Sequence, residues 1–141
     1  MYIIKEAKQV GILYHFTTIN NLEDILKSKG LKSDFFDYIS FTRNFNLQKT
    51  SDYFKDHKVR LTFDGNKLSN KYKIEPFIDN VGKITRKYGE YEERILWPSG
   101  KLLPCFFTLK QIDIEKGISR EDFKANVPIN YVWSFKPYRR K

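Results

Sequence analysis

Three short clusters of polar residues carry most of the chemistry available to this sequence. The first is Tyr14-His15-Phe16-Thr17, where one of only two histidines stands at the end of an apolar run. The second is Ser40-Phe41-Thr42-Arg43-Asn44, and the third is Glu90-Tyr91-Glu92-Glu93-Arg94. A carboxylate in a partly dry cleft stabilises a cation that develops beside it, such as the oxocarbenium formed when a glycosidic bond breaks. In an extended segment Glu92 and Glu93 point to opposite faces. Glu93, Ile95 and Trp97 then share one face, and Glu92, Arg94 and Leu96 the other. One carboxylate can enter a cleft while the other meets solvent or pairs with a base. Each cluster also has a plain structural alternative. His15 can be a core-edge histidine bonded to main chain, and the glutamates a solvated charged turn before a strand.

The elements that would position these residues are legible from their patterning. Gly11 to Phe16 reads as a strand. Asn20 with Glu23 three residues on forms a capping-box pattern. Leu22, Ile25 and Leu26 fall on one helical face, and Gly30 suits the C-terminal stop. Tyr38-Ile39-Ser40-Phe41-Thr42 is rich in β-branched and aromatic residues and reads as a strand. Asn44 to Phe54 is a short helix or loop. Lys58 to Phe63 alternates polar and apolar like a half-buried strand, and Asp64-Gly65 ends it with a turn. Residues 66–90 read as irregular. Glu93 to Trp97, Leu102 to Leu109, Lys110 to Ile114 and Val132 to Phe135 read as strands, and Ser119 as the cap of a short helix through Lys124. Strands dominate and one helix stands near the start, which makes the fold α+β.

Composition narrows the function classes. A chain of 141 residues suits one domain, residues 1–141, with its own core. Aromatics reach 16%, with 12 Phe and 9 Tyr, enough for a core and for ring faces that stack on a flat ligand. The apolar runs fall far short of the ~20 residues of a membrane helix. The start lacks a secretory pattern, so a cytoplasmic protein is expected. One cysteine, Cys105, excludes an internal disulfide and reads as a buried, inert thiol. Two His and one Cys, far apart, offer no metal-site spacing, so no metal is expected. The net charge of +9 favours an acidic partner, most often nucleic acid, although the lysines are widely spread. No phosphate-cradling glycine loop and no GxSxG elbow occurs.

The order His15, Ser40-Phe41-Thr42, Glu93 resembles the three-motif plan of mono-ADP-ribosyltransferases. Tyr14-His15-Phe16-Thr17-Thr18-Ile19-Asn20-Asn21-Leu22, followed by Ile25-Leu26 and Gly30-Leu31, more narrowly resembles the opening of DarT-type DNA ADP-ribosyltransferases and related small phage- and toxin-borne transferases. Glu93-Arg94-Ile95-Leu96-Trp97-Pro98 resembles the last motif, a catalytic Glu opening an apolar strand. The resemblance covers roughly residues 12–114. It implies two small packed β-sheets flanking an NAD cleft, with an N-terminal helix, and NAD+ as co-substrate. It implies an NAD site of Tyr14, His15, Phe16, Thr17, Ser40, Phe41 and Thr42, with Tyr53 or Phe54 stacking on nicotinamide. The catalytic set it implies is Glu93, Glu92, Arg43 and His15. Glu93 is favoured over Glu92 because it opens the apolar strand directly. Arg43 would meet the pyrophosphate or assist the acceptor. A basic rim of Arg43, Lys49, Arg86 and Lys87 would surround the cleft. The expected activity is transfer of ADP-ribose from NAD+ to nucleic acid or protein by a monomer, in phage–host conflict or as a toxin. The alternatives are a non-catalytic basic nucleic-acid-binding module and an inhibitory, partner-binding protein with an inactive cleft.

Overall fold

The computed structural model describes residues 11–45, 56–76, 92–115, 122–132 and 135. The chain runs through β1 (Ile12–Thr17), α1 (Ile19–Ser28), β2 (Tyr38–Thr42), β3 (Val59–Asp64), α2 (Gly65–Lys71), β4 (Ile74–Pro76) and β5 (Glu92–Leu96). A 3₁₀ turn at Phe106–Thr108 then leads into β6 (Leu109–Glu115) and β7 (Ile129–Val132). The fold is α+β, as its patterning predicts.

The strands form one sheet in the order β4-β5-β2-β1-β3-β6-β7, rather than the two sheets expected. All neighbours are antiparallel except β6 and β7. The reason for the difference lies at the centre. β1 pairs with β3 along its full length, and β2 with β5 likewise. Between β1 and β2 a single pair, Tyr14 with Thr42, joins the two halves. The sheet is therefore a three-stranded and a four-stranded half meeting at one rung.

Alternation along each strand gives the sheet two unlike faces. Leu13, Ile39, Phe41, Leu61, Phe63, Ile95, Ile112 and Ile114 are buried in the main core, with Leu22 of α1 and Leu68 of α2. On the other face, Phe16 and Phe135 form a small second cluster against Tyr14 and Val132.

Local sequence explains where element ends differ from expectation. Thr18, not Asn20, caps α1: it is extended, and its hydroxyl accepts from the Asn21 N–H at 3.3 Å. Lys29 itself takes the left-handed conformation (φ 58°) that ends the helix. Gly30 serves a different need, because a Cβ there would clash with the Leu103 carbonyl oxygen. Asp64 does not make a turn. Its carboxylate accepts from the Lys67 N–H at 3.1 Å and caps α2 inside the stretch expected to be irregular. The Leu102 to Leu109 run is not one strand: Leu103 bridges Leu31, and the 3₁₀ turn follows Cys105.

Candidate functional site

The seam where β1 and β2 part draws residues of the three polar clusters near one another on two faces of the sheet, His15 and Glu93 on the core side and Ser40, Glu92 and Arg94 on the other. Past the Tyr14–Thr42 pair the ladder stops, and side chains take over. His15 Nδ1 lies 2.8 Å from the Ser40 carbonyl oxygen. A carbonyl only accepts, so Nδ1 carries the hydrogen and Nε2 keeps its lone pair. Burial pushes the His15 pKa below its ordinary value. The bond to Ser40 opposes this, and nearby His57 adds to the lowering. The imidazole is therefore neutral, an acceptor at Nε2, and fixed edge-on to Phe41 with ring centroids 6.0 Å apart.

The other side of the seam holds the glutamates. In the β2–β5 register Thr42 lies opposite Glu92, Phe41 opposite Glu93 and Ser40 opposite Arg94. Glu92 and Arg94 thus share the face of Ser40 and Thr42, and Glu93 shares the core face with Phe41 and Ile95. The Ser40 hydroxyl donates to Glu92 Oε2 at 2.6 Å. Arg94 donates to the same carboxylate through Nε (2.9 Å) and a terminal nitrogen (3.2 Å). Glu93 is 4% exposed. Arg43 Nε meets its carboxylate at 3.0 Å, so Arg43 supports a buried charge on the core side.

The remaining expected residues fall around this centre. Thr42 is buried, and its hydroxyl accepts from the Asn44 N–H at 2.9 Å, which turns the chain after β2. Thr17 is buried; Phe16 and Phe41 fill the second cluster and the main core. Tyr14 sits edge-on to Phe45 at 5.5 Å, and burial raises its pKa while Arg60 opposes that rise. Tyr53, Phe54, Lys49, Arg86, Lys87, Glu90 and Tyr91 lie outside the described residues.

A second polar assembly, absent from the sequence reading, adjoins the site. Arg60 on β3 lies opposite Asp113 on β6, and their side chains meet at 3.0 Å with both nearly fully buried. The guanidinium lies 3.7 Å from the Phe45 ring centroid and 4.6 Å from that of Phe135. It also donates to the Phe45 carbonyl at 3.1 Å. Gln111 and Asn130 donate to the other Asp113 oxygen at 2.8 and 3.3 Å. This network fixes the segment that follows Arg43 against the sheet. Strand alternation puts Arg60 on the face away from the core, and local sequence carries no sign that Phe45 and Phe135 cover that face.

Cys105 is buried and its thiol is pushed up to about 12 by desolvation, which makes it the inert thiol expected. A cavity of about 270 Å³ between α1 and the 3₁₀ turn is lined by residues such as Leu26, Phe106 and Val127, and by none of the seam residues. Among the described residues no group of His, Cys, Asp and Glu can hold a metal ion, and no helix is long and apolar enough to cross a membrane. Set against known proteins, the chain matches no family model and no curated protein.

Proposed function

We propose that this protein is a mono-ADP-ribosyltransferase that breaks the nicotinamide–ribose bond of NAD+ and passes ADP-ribose to a macromolecular acceptor, nucleic acid or protein. The observation that carries the reading is the Ser40–Glu92 hydrogen bond beside the seam; His15 lies on the opposite, core face of the sheet with Leu13 and Phe41 and ties β1 to β2 through the Ser40 carbonyl. Positive charge develops on the ribose as nicotinamide leaves, and an oriented carboxylate is what stabilises it. The Glu92 carboxylate is held by Ser40 and Arg94, which supports such a role. His15 serves this reading from the core face, where its bond to the Ser40 carbonyl fixes the strand that carries the Ser40 hydroxyl. The parting of the two half-sheets at one rung supports a ligand cleft between them.

Within this reading Glu92 takes the role for which the motif resemblance favoured Glu93. Glu93 faces the core and is matched by Arg43, so the pair braces the site from behind. The proposed setting remains phage–host conflict or toxicity, with the protein acting in the cytoplasm.

The test is incubation with labelled NAD+ and lysate, followed by nuclease or protease digestion of the product. Glu92→Gln keeps shape but loses charge, and transfer should fall on the order of 10² to 10³ fold. NAD+ affinity should change far less, because the charge matters most in the transition state. Glu93→Gln should keep most transfer and lower stability instead. If Glu92→Gln transfers as well as wild type, the reading is wrong. A basic binding module would ignore Glu92→Gln and lose nucleic-acid affinity steeply with salt.

A further inference from the structure

We propose that Arg94 is the positioning residue of the Glu92 carboxylate and that the Tyr38 ring aims it; this rests on the transferase reading above. A glutamate on a strand has three free side-chain torsions, and its carboxylate is no use to a developing cation unless one oxygen is held toward it. At this site both oxygens are fixed. Oε2 accepts from Ser40 and from Arg94 Nε, and Oε1 accepts from the second arm of the Arg94 fork. The two residues can do this because they stand two apart on β5 and so share a face.

Arg94 is itself constrained. Its guanidinium carbon lies 3.8 Å from the Tyr38 ring centroid, and the Tyr38 ring stacks in turn on Phe36 with centroids 5.1 Å apart. A flat cation on a ring face has one favoured plane, and that plane sets the direction of the fork. A rival partner exists. Glu75 on β4 lies opposite Arg94 in register. Lys73 meets Glu75 at 3.1 Å, so that carboxylate has its own cation and the fork stays on Glu92.

Orientation, not charge, is the assigned contribution, since a cation beside Glu92 partly offsets the field that the carboxylate provides. The two roles separate experimentally. Arg94→Lys keeps the charge and loses the planar fork. Steady-state NAD+ consumption should show kcat reduced about 10- to 100-fold in both Arg94→Lys and Arg94→Ala, as for a misplaced catalytic group. KM for NAD+ should stay within about threefold, because uniform binding is untouched. Guanidinium ion in solution should restore part of the kcat of Arg94→Ala and none of that of Glu92→Gln. Tyr38→Leu should lower kcat in the same way, and Tyr38→Phe should recover most of that loss. Circular dichroism of each variant monitors folding; if Arg94→Ala does not fold, Arg94→Lys and Tyr38→Leu carry the test. A near-wild-type kcat in Arg94→Lys, or a loss confined to KM, overturns the positioning role alone. A wild-type protein that neither binds nor consumes NAD+ overturns the transferase reading, and this role with it.

Discussion

The buried Arg60–Asp113 pair makes the sharpest stability prediction. Asp113→Ala removes the carboxylate that meets the Arg60 guanidinium at 3.0 Å, in a place where both side chains are nearly fully buried. The guanidinium cannot move to solvent, because Phe45 and Phe135 bracket it and the Phe45 carbonyl accepts from one arm. Leaving such a charge without its partner costs roughly 3–5 kcal/mol. Gln111 and Asn130 also lose an acceptor, but both reach water and add little. Against a total stability of about 5–15 kcal/mol this is a large fraction. For a chain of this size each kcal/mol shifts Tm by roughly 3–5 °C, so Tm should drop by about 10–25 °C. Thermal and urea unfolding of wild type, Asp113→Ala, Arg60→Met and the double variant close a mutant cycle. The double variant should be more stable than Asp113→Ala, because no buried charge is left behind. An Asp113→Ala loss under about 1 kcal/mol would refute the reasoning, since that is the size expected of a solvated surface pair.

Three further outcomes follow from single features. Burial lowers the pKa of both His15 and His57, so the unfolded chain binds more protons below the ordinary value of 6.5. Stability should therefore be level above that pH and fall as pH drops from 6.5 toward 5, and His15→Asn should flatten the slope in urea melts taken across this range. Gly30→Ala should destabilise by about 1–3 kcal/mol, as overpacking does, because the new methyl meets the Leu103 carbonyl that bonds the Leu31 N–H; a Tm equal to wild type would show that the neighbouring chain gives way freely. Cys105 should react with a thiol reagent only as fast as the protein unfolds, and rapid labelling in native buffer would contradict its burial.

What sequence made legible was what neighbours in the chain decide. Tyr38 to Thr42 is extended at the bounds its β-branched and aromatic content predicts, and Glu92 and Glu93 do point to opposite faces. Which of those faces meets Ser40 depends on the β2–β5 register, a relation across some fifty residues that no local pattern encodes. Asp64 shows a different difficulty. The same carboxylate-to-amide bond that starts a turn also caps a helix, so Asp64-Gly65 reads as either until α2 is seen. Arg94 was legible from alternation, since an acid and a base two apart on a strand share a face, and Glu92 does pair with it. The covering of Arg60 by Phe45 and Phe135 had no such signal.

The single rung between β1 and β2 also bears on the cohesion of the sheet itself. Strands at the rim of a sheet expose a row of main-chain donors and acceptors, which natural proteins guard against stray pairing. Here two such rims face one another in the middle of the sheet, past Tyr14 and Thr42. They are guarded from outside by their outer partners β3 and β5 and capped from within by the His15 imidazole, which stands where a main-chain rung would be. The two half-sheets are then tied chiefly by the side chains they share in the core, among them Leu13, Phe41 and Phe63. Hydrogen exchange should see them as separate units of protection, with the central amides of the sheet, usually the slowest in such a fold, among the faster.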